Sequence, residues 1–270
     1  MAPHGSHDGT NDRPWWLVAL VLIALVLAGV IVANDIYAQV FGVVLKGLWV
    51  TIFVTLVGFA LATVAGLGIA LMALSEHAAL RQIARFYTEV IRGVPILVLL
   101  FYIAFVGAPG FVALANLVLG PLVAAGIVEP MQVRDVSLMW RAIFALTIGY
   151  SAFIAEIFRA GIEAVDRGQL EAARSLGLSR WKCFRLVTFP QALRTILPPL
   201  ANDFVSMIKD SALVSALGVQ DITQLGKVYS SGTFLFFETY NVVAYLYLTM
   251  TISLSLLVRL LERSMRENRY

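Results

Sequence analysis

Several charged and polar side chains lie within otherwise apolar stretches of this 270-residue chain, where they could bind a charged solute. In a helix, Asn202, Ser206 and Lys209 would fall within about 60° of arc, with Asp203 and Asp210 as an adjacent stripe. Charges inside a membrane are costly and normally face a cavity or a partner, so this face is expected to line a polar path. Lys209 and Asp210 could match the two charges of a zwitterion. Pairing with other helices, or a role in an outer gate, is the alternative.

Two glutamate–arginine pairs repeat one spacing. Glu89 and Arg92, and again Glu156 and Arg159, are separated by one helical turn. Residues three apart on a helix are neighbours, so each pair could form a local ion pair. We expect structural pairs, and keep Arg92 and Glu156 as candidates for contact with a solute.

Catalytic and metal chemistry have little support in the sequence. An intramembrane enzyme would need a nucleophile or a metal site, whereas the three histidines lie in predicted tails or loops: His4, His7 and His77. The single cysteine, Cys183, excludes an internal disulfide. We therefore expect no catalytic residue, no metal ligand and no cofactor.

The composition favours a membrane protein. Sixty per cent of the residues are hydrophobic and 14% are charged, whereas soluble domains have roughly 45–50% and about 25%. Uncharged blocks cover residues 15–33, 47–75, 95–128 and 239–258. Such blocks can cross about 30 Å of hydrocarbon as helices, in which every backbone polar group has an internal partner. The alternating ten-residue strands of a membrane barrel are absent from the sequence.

The cations predict the orientation of the spans. We place six spans near residues 15–33, 42–74, 88–107, 138–158, 196–217 and 239–259. Six spans put both termini on one side, and only four lysines and arginines would then face the opposite side: Lys46, Arg134, Arg141 and Lys227. The positive-inside rule makes the side with both termini cytoplasmic. The net charge of +3 is thus explained without nucleic acid.

Two apolar stretches could change the number of spans. Residues 15–33 are too long, and their leader too acidic, for a cleaved signal peptide, so a retained span is favoured. Residues 111–128 could score as a seventh span, but Gly120-Pro121 interrupts them. We therefore expect an outward hairpin or interfacial segment there.

Small residues lie along one face of the second span. Gly58, Ala62, Gly66 and Ala70 follow each other at a spacing of four. Small faces let helices approach closely in lipid. This face could form a seam with another subunit or with a moving gate helix, or could pack within the chain; both interpretations stay open.

The loop between the fourth and fifth spans contains a short amphipathic helix. Asp166 and Gln169 resemble a capping box, and Gly177 resembles a C-terminal glycine cap. Such a short helix is marginal alone in water, and it would expose Leu170, Ala173 and Leu176. Docking on a cytoplasmic partner is the functional interpretation; a helix lying on the membrane surface is the alternative. Ser179 then caps a second amphipathic stretch, which Pro190 stops or kinks.

The loop resembles a known motif. Glu171-Ala172-Ala173, then Gly177, then Val187-Thr188-Phe189-Pro190 resemble the EAA loop of binding-protein-dependent ABC importer permeases, although the usual ending is I-x-L-P. Further segments resemble the polar amino acid branch, of the histidine, glutamine and arginine type: Arg92-Gly93-Val94-Pro95, residues 155–162, Gly168-Gln169, Pro190-Gln191-Ala192 and residues 209–213. The resemblance covers roughly residues 42–263. Glycine betaine and methionine systems are the nearest alternatives within the importers.

The resemblance implies an all-α integral membrane protein with the transmembrane domain of a type I ABC importer. The predicted organisation is a disordered cytoplasmic tail at 1–14, an extra transmembrane helix at 15–33, a five-helix permease domain at 42–263 with its coupling loop at 159–194, and a basic cytoplasmic tail at 264–270. The extra first span and the long outward connector, residues 107–137, depart from the family pattern. The longer connector is expected to alter how an external binding protein docks.

The resemblance also implies partners and site residues. Two permeases, identical or homologous, pair in the bacterial cytoplasmic (inner) membrane, and an external binding protein delivers a polar amino acid. Separate ATP-binding subunits hold the coupling residues Gln169, Leu170, Glu171, Ala172, Ala173 and Gly177. The chain has no phosphate-binding loop of the G-x-x-x-x-G-K-[ST] type, so ATP is bound by the partner. An ion-driven secondary transporter, the competing class, should show internal repeats with paired broken helices, which the sequence lacks.

Overall fold

The computed structural model describes residues 15–267, and this part of the chain is helical without any strand. The predicted tail at residues 1–14 and residues 268–270 lie outside the described part. The α-helices, in chain order, are α1 Trp15–Ala33, α2 Asp35–Val44, α3 Leu48–Ala73, α4 Ala78–Gly93, α5 Ile96–Tyr102, α6 Ala108–Ala124, α7 Leu138–Glu163, α8 Arg167–Ser175, α9 Arg180–Cys183, α10 Phe189–Asp210, α11 Ile222–Thr233 and α12 Phe236–Glu267. The prediction of an all-α membrane fold is confirmed.

Four described helical segments are long and apolar enough to cross a membrane: Asp35–Ala73, Ile96–Ala124, Leu138–Glu163 and Phe236–Leu260. Val18–Ala33 is a shorter apolar helix. Helix α10, the predicted fifth span, is not among them, because two aspartates, a lysine and an arginine interrupt its apolar sequence. Its polar residues therefore need protein or water around them rather than lipid.

A polar cap starts the second span. The Asn34 side chain accepts hydrogen bonds from the backbone N–H groups of Ile36, at 2.9 Å, and Tyr37, at 3.4 Å. Helix α2 therefore begins immediately after α1 and continues through a 3₁₀ turn, Leu45–Gly47, into α3. The predicted start at residue 42 was too late, because the cap lies upstream of the uncharged block.

The small-residue face of α3 packs within the chain. Gly58, Ala62, Gly66 and Ala70 are all buried. A Cβ added to Gly66 would lie 2.8 Å from Ile154 Cγ2. Helices α3 and α7 therefore approach so closely that there is no room for a side chain at this position. Packing within one subunit is therefore the alternative that the structure supports, and this face is not free to form a seam with another subunit.

The third predicted span is divided by a helix break. Helix α4 ends at Gly93, Val94 is extended, and Pro95 precedes α5, so the predicted break at Gly93 to Pro95 is confirmed. Helix α5 continues through a π-helical turn, Ile103–Gly107, into α6. The expected hairpin at residues 111–128 is wrong, because α6 continues as one helix past Pro121. Pro121 removes only one helical hydrogen bond, whereas interrupting the helix would expose several backbone groups.

The connector after α6 folds back on that helix. The Asn116 side-chain amide donates to Met131 O and accepts from Met131 N, both at 2.8 Å. Arg141, at the start of α7, donates to the carbonyl oxygens of Val136, Ala104 and Val133. Ala104 lies in the π-helical turn, so the connector is fixed to both neighbouring helices.

Helices α3, α7 and α10 form the centre of the molecule. The largest cluster of buried side chains includes Val54, Ile143, Leu146, Ile154 and Met207 from these three helices. Helix α10 tolerates Pro198 and Pro199 in its interior, and a 3₁₀ helix, Ser211–Leu217, follows it. The centre therefore brings polar residues of α10 against α7 and the α4–α5 break.

Candidate functional site

A cavity of about 510 Å³ lies where the α4–α5 break meets α7 and α10. Three residues of α10 line it, namely Asp203, Ser206 and Asp210. Their spacing of three and four places them on one face of the helix. The break contributes the segment from Ile91 to Ile96, and α7 contributes Gly149, Tyr150 and Phe153. The volume falls in the range of small-molecule sites, which is roughly 300–1,000 Å³.

The two carboxylates in the cavity differ in their surroundings. Asp210 Oδ2 accepts a hydrogen bond of 2.8 Å from the Tyr150 hydroxyl, which ties α10 to α7. Asp203 Oδ2 is buried and has no hydrogen-bond partner among the described residues. Neither carboxylate forms an ion pair within the described part of the chain. The cavity therefore contains two carboxylates that no cation of this part of the protein contacts.

Arg92 contributes the positive charge of the cavity. Its guanidinium carbon lies 5.5 Å from the centroid of the Phe153 ring, a cation–π contact. The expected ion pair with Glu89 does not form within the described residues. Because α4 ends at Gly93, Arg92 lies in its last turn and turns toward α7 instead.

The polar face predicted for α10 is rotated about the helix axis relative to the face that lines the cavity. Ser206 and Asp210 line the cavity as expected, whereas Asn202 and Lys209 are exposed on the isolated chain and are not in its wall. Asp203, placed in the adjacent stripe from sequence, belongs to the lining. Tyr150 and Phe153 were missed because two aromatics three residues apart on an apolar helix resemble ordinary packing.

A second polar cavity, of about 290 Å³, shares Arg92 with the first. Its charged lining residues come from α4 and α7: Arg85, Glu89, Arg92, Glu156, Arg159 and Glu163. The predicted Glu156–Arg159 ion pair is confirmed at 2.6 Å, and Arg159 also contacts Glu163 at 2.6 Å. Glu156 thus lies in this second cavity, next to the one that contains Asp210.

The loop helix α8 is bracketed as predicted. Asp166 Oδ1 accepts hydrogen bonds from the backbone N–H groups of Gly168 and Gln169, at 2.6 and 3.4 Å. Gly177 has φ +76°, and its N–H donates to Arg174 O while Leu178 N–H donates to Ala173 O. This is a complete Schellman motif, which requires a left-handed residue.

One arm of the expected capping box is absent. The Gln169 side chain does not return to Asp166; its Oε1 accepts a 2.6 Å hydrogen bond from Gln191 Nε2. Gln191 lies near the start of α10, so this contact ties the loop helix to the helix that lines the cavity. The Gln191 partner is more than 20 residues away, and local sequence patterns do not show it.

The exposed face of the loop differs from the expected one. Ala173 is buried, and Leu170 is half-buried in a cluster with Val165, Ala192 and Ile196 of the chain itself. Leu176 and Trp181 remain 81% and 66% exposed, and Glu171 and Ala172 are also exposed. Part of the predicted apolar surface is thus free, and part belongs to the fold of the loop.

The second amphipathic stretch is capped by Ser179, whose Oγ accepts from Lys182 N at 3.4 Å. A π-helical turn, Phe184–Thr188, follows α9 and precedes α10. Pro190 in the first turn of α10 has no N–H to donate, so this distortion accords with the predicted kink. Cys183 is only 3% exposed, which makes it a poor reporter of membrane sidedness.

Metal chemistry has no support in the described part of the chain, where no three histidine, cysteine or acidic residues are grouped for an ion. A bundle of long apolar helices around a polar cavity is the architecture of a membrane transport protein. Residues 62–267 match the family described as “Binding-protein-dependent transport system inner membrane component”. The chain belongs to this family, and the resemblance drawn from the loop motif is confirmed.

Similar proteins are named as permeases. The probable amino-acid permease protein YxeN of Bacillus subtilis (strain 168) is 33% identical over 225 residues, covering 83% of this chain and 92% of that protein. The glutamine transport system permease protein GlnP of Escherichia coli (strain K12) is 33% identical over 224 residues, covering 82% and 92%. The chain is therefore a membrane permease subunit of an importer, and not an enzyme.

Solved structures share the fold. An amino acid ABC transporter with histidines superposes with a TM-score of 0.69 at 37% identity, covering 86% of this chain and 97% of that chain. The MetNI methionine ABC transporter, in an inward-facing conformation, gives a TM-score of 0.62 at 20% identity and covers 83% and 96%. The second likeness shows the fold alone. The predicted importer transmembrane domain is thereby confirmed.

Proposed function

We propose that the chain forms the translocation path for a polar amino acid and is driven by a separate ATPase that docks on the loop 159–194. The observation that carries the proposal is the 510 Å³ cavity, in which carboxylates and a guanidinium converge between three helices. A free amino acid carries an ammonium and a carboxylate, and both find opposite charges in this lining. The relatives' names, which specify amino acids or glutamine, support the same substrate class.

The coupling surface is supported by geometry. Helix α8 is capped at both ends and tied to α10 through the Gln169–Gln191 hydrogen bond. It presents Glu171, Ala172 and Leu176 to solvent. A displacement of α8 by a docked ATPase would therefore be transmitted to α10, which carries Asp203 and Asp210. Gln169 acts here as an internal link, whereas Leu170 and Ala173 support the helix from beneath.

Further partners follow from the proposal. ATP is bound by the ATPase, so the permease itself needs no cofactor. An external binding protein delivers the amino acid, and a second permease pairs with this chain in the bacterial inner membrane. Asn202 and Lys209 are polar, exposed on the isolated chain and located in a central helix. Since lipid contact would be costly for them, they face the second permease or the path between the two.

The proposal is tested by uptake into proteoliposomes that contain the permease co-purified with its ATPase and supplied with its external binding protein. We expect uptake of an amino acid that depends on ATP inside the liposomes, on the side opposite the binding protein, and is insensitive to collapse of ion gradients. Uptake that needs an ion gradient and no ATP would instead assign a secondary transporter.

The coupling role has its own variant. Glu171→Ala should lower ATP-driven uptake and binding-protein-stimulated ATP hydrolysis by at least tenfold, while the permease stays in the membrane. Glu129→Ala, which removes an exposed glutamate from the connector far from the loop in sequence, is the matched control. Equal hydrolysis and uptake in both variants would remove the loop from the coupling mechanism.

A further inference from the structure

We propose that the cavity selects amino acids with a cationic side chain, such as L-arginine or L-lysine, over neutral and acidic ones, and that Asp203 determines this preference. The inference rests on the proposed function, in which the cavity lies on the substrate path. It narrows the substrate class from polar amino acids to those that carry a net positive charge.

The charge of the lining carries the argument. Besides Arg92, which they share, the two neighbouring cavities are lined by two further arginines, three glutamates and two aspartates. With Arg92 included, three arginines and five carboxylates leave an excess of two negative charges. Arg159 offsets only one of the two glutamates that it contacts, so one negative charge of the excess lies there and the other lies at the aspartates of α10. Uncompensated charge in a membrane protein is costly, and a ligand of opposite charge removes that cost.

The two aspartates are not equivalent. Asp210 is partly satisfied by the Tyr150 hydroxyl, and this contact also holds α7 and α10 together. Asp203 lines the same cavity without an ion pair in the described part of the chain, and its Oδ2 lacks a hydrogen-bond partner there. Asp203 therefore has the larger unused capacity for a cation, and its removal disturbs the helix packing less.

Arg92 fixes the orientation of the ligand. Its guanidinium rests on Phe153 without a carboxylate partner among the described residues. A guanidinium can bind a carboxylate through two parallel hydrogen bonds. With its α-carboxylate at Arg92, an amino acid extends toward α10, where its ammonium and a cationic side chain meet Asp210 and Asp203. A glutamate side chain would instead place a third carboxylate beside two uncompensated ones.

Direct binding separates the cavity from the external binding protein, which has a selectivity of its own. The experiment uses purified permease in lipid nanodiscs without binding protein, titrated with radiolabelled L-arginine, L-lysine, L-glutamine and L-glutamate. We expect arginine and lysine to bind at least tenfold more tightly than glutamine, and glutamate most weakly. Asp203→Asn should weaken arginine binding at least tenfold and leave glutamine binding within about threefold.

The control is Glu129→Gln, the same carboxylate-to-amide change at an exposed connector position, which should keep the wild-type preference. Glutamine binding as tight as arginine, or an Asp203→Asn variant with unchanged preference, would overturn the inference. If ATP-driven uptake of glutamine persists in that case, the proposed transport function stands and only the preference for cationic amino acids is wrong. Absence of both binding and ATP-driven uptake for every amino acid would contradict the proposed transport function as well as the preference.

Discussion

The left-handed conformation of Gly177 fixes the end of the loop helix. At φ +76° the residue lets its own N–H donate to Arg174 O and the Leu178 N–H donate to Ala173 O, and an added Cβ would meet no atom within 4 Å. A side chain at this position is therefore opposed by backbone strain and not by a clash. The left-handed region costs an ordinary residue roughly 1–2 kcal/mol, and a β-branched residue more.

This strain predicts different effects for two substitutions at Gly177. Gly177→Val should distort the end of α8, so that the ATPase is lost during purification or its stimulated hydrolysis falls at least fivefold. Gly177→Asn should retain both properties, because asparagine tolerates the left-handed region. The comparison is made on complexes purified in parallel, with subunit ratios from stained gels. Loss of coupling in the asparagine variant as well would show that side-chain contact, and not backbone geometry, matters here.

Single residues were predictable where the signal was local. The caps at Asp166 and Ser179, the glycine at 177 and the Glu156–Arg159 pair all involve neighbours within four positions. The cavity lining was predicted only in part, because the phase of α10 depends on the helices that surround it. Periodicity placed the polar residues on two adjoining stripes but could not decide which one faces α7.

Close helix packing accounts for the stripe of small residues on α3. Ile154 of α7 contacts the chain at Gly66, where even a methyl group would come within 3.0 Å of Ser151 O. The neighbouring Gly68 is exposed and has no atom within 4 Å of an added Cβ. The spacing of four predicts which face of α3 packs closely. Only the three-dimensional structure identifies α7 as the helix that packs against it.

The two glycines form a matched pair for a stability test. Gly66→Ala should destabilise the permease by about 1–3 kcal/mol through overpacking against α7. Gly68→Ala should be neutral, or stabilising by about 0.5–1 kcal/mol, since alanine is the better helix former. Thermal unfolding of each purified variant in one detergent measures the difference. Equal midpoints for the two variants would contradict the tight α3–α7 contact.

Helix α6 and its connector show where sequence patterns misled. Gly120-Pro121 is a turn signal in water, but inside a long apolar helix the surrounding hydrogen bonds persist. The connector then returns along α6 through Asn116. Its side chain replaces hydrogen bonds that Met131 would otherwise make with water.

Removal of this contact should loosen the connector. In Asn116→Leu the backbone N–H of Met131 loses its acceptor, so its hydrogen exchange should become at least tenfold faster in nanodiscs. Leu117→Ala, which truncates a side chain that is 77% exposed on the same helix, should leave exchange at Met131 unchanged. Equal exchange in wild type and Asn116→Leu would mean that the connector is held by Arg141 alone.

At the scale of the molecule, the number of crossings decides which loop faces the cytoplasm. The segment Ile96–Ala124 is a 29-residue helix, about 43 Å long at 1.5 Å per residue. That length exceeds the roughly 30 Å of hydrocarbon but is too short for two crossings. One crossing here keeps the predicted count, although the span is longer than residues 88–107 and projects beyond the membrane.

The resulting orientation predicts opposite labelling of two introduced cysteines. The native Cys183 is buried, so it is first replaced by alanine and the sites are Ser175 in the loop and Glu129 in the connector, both exposed. Since the loop carries more arginines than any other loop, Ser175→Cys should react with a membrane-impermeant maleimide only in inside-out vesicles. Glu129→Cys should react in spheroplasts, because the single crossing of α7 separates the connector from the loop. Labelling of both cysteines from the same side would mean an even number of crossings between them, and would refute the six-span topology.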